Sequence, residues 1–95
     1  MRERDVEAYL VKQIKALGGM CEKFVSPGKT GVPDRIITLP AGRIIFCELK
    51  TPGKKPTELQ LRDHQKRRDL GCEVLVIDSM EEVDAFTRRL TRLPE

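Results

Sequence analysis

Apolar residues return at Val6, Leu10, Ile14 and Leu17, the three-to-four spacing that lines one face of a helix. This pattern predicts a helix over residues 2–17, ended by Gly18-Gly19. MCEKFV, residues 20–25, then reads as a short strand. SPGKTGVP, residues 26–33, carries two prolines and two glycines and must be a loop. Residues 34–39 and 43–50 are rich in β-formers and flank Pro40-Ala41-Gly42. They predict a hairpin with a three-residue loop in which Gly42 takes the left-handed conformation. TPGKKP, residues 51–56, is a second loop. Thr57 and Gln60 form a capping box that opens a helix running to Leu70 and stopping at Gly71. EVLVI, residues 73–77, has the continuous apolar character of a buried strand. Ser79 and Glu82 form another capping box, which opens a last helix to about residue 91.

The predicted order is therefore α-β-β-β-α-β-α, with no repeat or low-complexity tract to divide it. Strands two and three are antiparallel neighbours. The strand of residues 73–77 returns through a helical crossover, so it is expected to lie parallel to strand three. The expected fold class is α/β, a mixed sheet flanked by helices, in a single domain over residues 1–95.

The hairpin also brings two acids together. If Leu39 pairs with Arg43, then Asp34, five residues before Leu39, faces Glu48, five residues after Arg43. Their Cβ atoms would lie roughly 5 Å apart, and like charges placed this way destabilise a ladder. A divalent cation between them reverses the sign of the interaction, and hard oxygen ligands suit Mg²⁺ or Mn²⁺. Lys50, two residues past Glu48, leaves the strand on the same face. These are the parts that metal-assisted phosphodiester hydrolysis requires: a site for a Lewis acid and a cation for developing phosphate charge. Each piece has a plain structural reading as well. Glu48-Leu49-Lys50 fits an ordinary strand with a surface ion pair, and Pro33-Asp34 fits a turn. The combination carries the argument, and Glu-Leu-Lys is the only acid-x-lysine in the chain.

Composition adds a partner and a compartment. Lys and Arg total 18 against 15 acids, a net charge of +3, which permits a polyanionic partner without demanding one. Lys54, Lys55, Arg62, Lys66, Arg67 and Arg68 crowd together, either as a solvated helix face or as a phosphate-binding one. Only Tyr9, Phe24, Phe46 and Phe86 are aromatic, so the core of this 95-residue chain is thin, and self-association is one way to supplement it. Cys21, Cys47 and Cys72 are odd in number and lack metal-ligand spacing. They read as small buried hydrophobes in a reducing compartment. No stretch is long enough to span a membrane, and MRERDVEAYL has charges where a signal peptide needs an apolar run. The expectation is an intracellular, cytoplasmic protein.

Gly31-Val32-Pro33-Asp34, then Glu48-Leu49-Lys50, then Gln60 and Gly71, resembles the VRR-NUC (virus-type replication-repair nuclease) family of the PD-(D/E)xK nuclease superfamily. The resemblance runs from about Glu7 to Ser79. It implies a restriction-endonuclease-like αβββαβ core and a stand-alone nuclease of the kind phages encode, working in a bacterial or phage-infected cell. It also implies that Asp34, Glu48 and the backbone carbonyl of Leu49 are metal ligands and that Lys50 is the catalytic lysine. By the same resemblance Glu7 is the acid on the first helix and Gln60 the glutamine that opens the second. Otherwise Glu7 is a solvated helix charge and Gln60 a capping residue. Similar stand-alone proteins are shaped like archaeal Holliday-junction resolvases, which implies a homodimer acting on four-way DNA junctions. Flap, nicked or other DNA or RNA substrates, and a nucleic-acid-binding module with a dead site, remain open alternatives. Ser26 and Lys29 in the first loop, with Lys54 and Lys55 in the second, are candidate contacts to the DNA backbone. No base-reading motif accompanies them. His64, the only histidine, reads as structural or solvated, because a metal and a lysine already suffice to activate water.

Overall fold

Why the elements form where they do is visible in their termini. The structure, a computed structural model, describes residues 2–91. Helix α1 spans Glu3–Ala16 and buries Val6, Leu10 and Ile14, the predicted stripe, while Leu17 becomes its C-cap. Gly18 follows with φ +82°, a conformation that glycine adopts without steric cost. Strand β1 covers Met20–Lys23, shorter than the six residues expected. One further bond, from the Phe24 amide to the Asp34 carbonyl at 2.9 Å, ends the pairing.

Strands β2, Arg35–Leu39, and β3, Arg43–Leu49, pair antiparallel with Leu39 opposite Arg43 and Arg35 opposite Cys47. That is the register the hairpin predicted. The turn between them differs in one respect. Both Ala41 (φ +68°) and Gly42 (φ +78°) are left-handed, where only Gly42 was expected to be. The tight reversal needs two such residues in succession, and Ala41 bears a steric cost of about 1–2 kcal/mol to supply the first.

Helix α2, Glu58–Asp69, is followed by β4, Glu73–Ile77, which pairs parallel with β3. The sheet order is β1-β2-β3-β4, so β1 and β4 are its edges. Helix α3 spans Met80–Thr91. At its start Glu82 N donates to Ser79 Oγ at 3.1 Å, as a capping box requires. The reciprocal bond reaches one residue further back, from Asp78 N to Glu82 Oε1 at 2.9 Å.

The two faces of the sheet have opposite character. Ile37 and Leu39 of β2, with Ile45, Cys47 and Leu49 of β3, point toward α1 and α3 and form one apolar core with Val6, Leu10, Ile14, Ile77, Val83 and Phe86. The other face carries Phe46 and Glu48 and is covered by α2, whose buried residues are Asp63 and His64. Of the cysteines only Cys47 is fully buried, whereas Cys21 and Cys72 are half-buried and all three are free thiols. Val83 and Phe86 are buried in the core of their own chain, so the apolar stripe of α3 faces inward. Among the described residues no helix is long and apolar enough to cross a membrane.

Candidate active site

Asp34 stands one residue before β2, at the end of the Gly31-Val32-Pro33 turn. Gly31 adopts φ +84°, and a Cβ there would meet Leu59 Cγ at 3.0 Å, so the turn can lie against α2 only with glycine at this position. Asp34 is one step beyond the Arg35–Cys47 pair, which sets it opposite Glu48 in the ladder's register. Its Oδ2 accepts a hydrogen bond from the Leu49 amide at 2.9 Å. The carboxylate thus folds over the end of the hairpin and occupies a donor that β2 has stopped short of. Asp34 lines an open cleft of about 540 Å³, together with Glu3, Glu7, Ser26, Lys29 and Gln60.

Glu48 is buried, 1% exposed, on the α2 face of β3. Its Oε2 is held twice, by Lys50 Nζ at 3.2 Å and by Gln60 Nε2 at 3.1 Å. Its Oε1 is buried with no hydrogen-bond partner. Burial first, and then the charge of Asp34, push its carboxyl up to about 7, against the opposing pull of Lys50. The cost of this arrangement is what the sequence anticipated for two acids facing across a ladder.

Gln60 performs two tasks with one side chain. Its Oε1 accepts from the Thr57 amide at 2.9 Å and its own amide donates to Thr57 Oγ1 at 3.2 Å, completing the capping box. Its Nε2 remains free to reach Glu48. Helix capping and site-building therefore coexist.

Glu7 lines the same cleft as Asp34 but is paired with a cation of its own. Arg35 donates to it from Nε at 2.9 Å and anchors its own guanidinium on the Cys21 carbonyl at 3.0 Å. Arg35 was not singled out from the sequence. Its signal was there, since it alternates with Ile37 and Leu39 and is therefore a charge on the apolar side of β2.

The underside of α2 holds a polar cluster that sequence reasoning also missed. Asp63, 4% exposed, accepts from Arg67 Nε at 2.8 Å and pairs with Lys29 Nζ at 3.0 Å. The Arg67 guanidinium lies 5.1 Å from the ring centre of Phe24 and 4.7 Å from that of Phe46. Burial works to raise the Asp63 carboxyl, but the bonds from Arg67 and Lys29 outweigh it and hold it below the usual range. Of the crowded basic residues, Arg67 is therefore committed to packing, and Arg68 donates to the Val74 carbonyl at 2.8 Å. Lys54, Lys55 and Lys66 are exposed, and Arg62 reaches Glu58 only at 4.0 Å. Lys29, a candidate phosphate contact, leans on Asp63 while remaining half exposed.

His64 is the second surprise. It is fully buried, and its Nε2 lies 3.8 Å from Glu48 Oε1. Burial first, then the nearby Arg68, hold its imidazole below the ordinary value. Four residues after Gln60 on the same helix, it shares that residue's face, and this spacing was legible.

Among the described residues no three His, Cys, Asp or Glu side chains converge into a complete metal cage. The donor set nevertheless suits a hard, partly hydrated cation. Such an ion keeps several waters and takes one or two carboxylates alongside substrate phosphates. Asp34 on the cleft wall and Glu48 opposite it supply that pair.

A four-stranded mixed sheet between helices, with two acids and a lysine on the α2 face, defines a restriction-endonuclease-like fold. A solved structure described as "VRR_NUC domain" matches it with a TM-score of 0.86 at 37% identity, covering 90% of this chain and 94% of that one. A curated protein named "Putative nuclease p44", from Acyrthosiphon pisum secondary endosymbiont phage 1, is 51% identical over 81 residues, 85% of this chain and 87% of its own length. No family profile matches the chain. The chain belongs to the VRR-NUC family and is a nuclease.

Proposed function

We propose that this nuclease is a Mg²⁺- or Mn²⁺-dependent endonuclease that cuts DNA, with branched DNA, four-way junctions foremost, as its substrate. The observation that carries the metal reading is Glu48. A carboxylate only 1% exposed that faces a second acid across the ladder is costly unless a cation offsets the repulsion. Asp34 and Glu48 would hold the ion, with the Leu49 carbonyl as a further ligand. When bound, the ion supplies a Lewis acid for the phosphoryl oxygen and makes its water acidic. Glu7 lines the same cleft as Asp34 and is proposed to serve the ion's outer hydration, in exchange with Arg35. Gln60 fixes Glu48. Lys50 stands where it can stabilise phosphate charge or orient the attacking water. The whole chain acts as one VRR-NUC-like domain, in the cytoplasm of a bacterial or phage-infected cell.

The test is a panel of labelled junctions, flaps, nicked and intact duplexes, single strands and RNA, offered with Mg²⁺, with Mn²⁺ and with EDTA. Junction cleavage that needs the cation supports the proposal. Cleavage that persists in EDTA rejects it. Cation-independent binding with no cleavage of any substrate assigns the chain to nucleic-acid binding alone.

Ser26 and Lys29 on the cleft wall, with exposed Lys54 and Lys55, form the proposed backbone contacts. Replacing Lys54 and Lys55 by alanine is expected to weaken binding to all sequences alike and to flatten the salt dependence by up to about two units of slope. Affinity titrations at several salt concentrations check this, and a sequence-selective loss contradicts it.

A homodimer is the proposed working form, because two-fold symmetry places two sites on one junction. With the α3 stripe buried, the open edge of β4 and the exposed Leu59, Leu61 and Leu70 are part of the apolar surface left for it, beside Met20, Val25 and Ile44. Sedimentation at micromolar concentration, free and with DNA, is expected to show twice the 10.8 kDa chain mass. A monomer in both conditions removes the dimer and leaves the metal chemistry standing.

A further inference from the structure

Three buried polar atoms meet between β3 and α2 without a partner: Glu48 Oε1, His64 Nδ1 and His64 Nε2. Orphaned buried polar groups are rare, because each forfeits its hydration and receives nothing in return. Here they are neighbours. Nε2 and Oε1 stand 3.8 Å apart, just beyond hydrogen-bond reach, with both side chains at most 1% exposed. No backbone group or other side chain competes for either atom among the described residues. The other oxygen of the same carboxylate accepts from Lys50 and Gln60.

We propose that His64 is a positioning residue for Glu48. Its Nε2–H donates to Glu48 Oε1 and fixes the plane of the carboxylate, with Oε2 held toward Lys50 and Gln60. A contraction of under about 1 Å brings the pair to an ordinary N–H···O length. Rotation of a carboxylate about its last torsion is soft, so Gln60 and Lys50 on one oxygen do not by themselves set that plane. A donor on the second oxygen does. Groups that orient a ligating carboxylate in this way typically change metal affinity by about 10- to 100-fold when removed.

The inference rests on the reading of Glu48 as a metal ligand, and the test separates the two. Mn²⁺ binding to the full chain is measured by calorimetry without DNA, beside thermal unfolding. His64→Leu fills the same space without a donor and is expected to weaken Mn²⁺ binding at least about tenfold while the protein remains folded. His64→Gln can present its amide nitrogen near the Nε2 position and is expected to restore most of that loss. A wild-type protein that binds no Mn²⁺ overturns the metal reading itself. Wild-type affinity in His64→Leu, or equal loss in both folded variants, overturns the role of His64 alone. A second measurement covers the case in which the variants do not fold. His64 is the only histidine, so ¹⁵N NMR of labelled wild-type protein reads its ring without ambiguity. The Nε2–H tautomer, with a nitrogen shift that changes in Glu48→Gln, is expected. The Nδ1–H tautomer, or a shift indifferent to Glu48→Gln, rejects the bond.

Discussion

Asp34→Asn is expected to bring cleavage down to the level seen in EDTA while leaving the protein at least as stable as the wild type. The two halves have separate causes. Asparagine keeps the side-chain oxygen that accepts from the Leu49 amide, so the end of the hairpin stays closed. It also removes a negative charge that pushes the Glu48 carboxyl upward, which relieves repulsion in the protein without metal. With a cation, however, the neutral amide is a far poorer ligand than a carboxylate, and the Lewis acid that the reaction needs is no longer held. Single-turnover cleavage with Mg²⁺ and Mn²⁺, beside thermal unfolding without metal, checks both halves. Cutting that survives in this variant would sink the two-carboxylate mechanism. A large drop in stability would show that Asp34 serves the hairpin first.

Lys50→Ala is expected to slow the chemical step by at least about a hundredfold, the scale for losing one preorganised electrostatic stabiliser, with DNA affinity little changed. The pH dependence should move with it. Lys50 pulls the Glu48 carboxyl down against burial and Asp34, which still hold it at about 7, so losing Lys50 raises it further. The ionised ligand then becomes available only at higher pH. The deficit should be larger near pH 6.5 than near pH 8.5, because metal binding must first displace the proton. Rates measured across that range decide the matter. An unchanged single-turnover rate would reduce Glu-Leu-Lys to a strand with an ion pair.

The parts of this site that were legible in the sequence are those governed by local rules. Thr57 and Gln60 announce a helix start through spacing alone. The three-residue turn fixes the hairpin register, and from it the facing of Asp34 and Glu48 follows by counting. The pairings of Arg35 and Asp63 were legible only in part. Asp63 meets Arg67 one helical turn on, but Glu7 and Cys21 for Arg35 and Lys29 for Asp63 lie far along the chain, and periodicity carries no information about such partners. The α3 stripe shows the converse. Val83, Phe86 and Leu90 have the right spacing for a docking face or a core face, and only the tertiary packing against α1 and the sheet decides for the core. Glu7 lies between these cases: its place on α1 was predictable, but its capture by Arg35 was not.

Helix α2 is attached to the sheet by charge and aromatic stacking rather than by an apolar stripe, and this makes its cohesion depend on acidity in a way that the core beneath α1 and α3 does not. The Asp63 carboxyl is held below the usual range, so its pairing with Arg67 and Lys29 contributes fully above the ordinary carboxylate pKa. That contribution disappears as pH falls through the lowered one. Acid below the ordinary carboxylate range is therefore expected to loosen α2 first. Glu48 and His64 become solvated while the sheet and the two helices on its far side keep their packing, which is the sub-global opening of one cooperative unit ahead of the rest. Backbone amides of α2 would then exchange with solvent before those of α1. Acid below the ordinary carboxylate range is thus expected to detach this one helix reversibly while most of the chain is still folded.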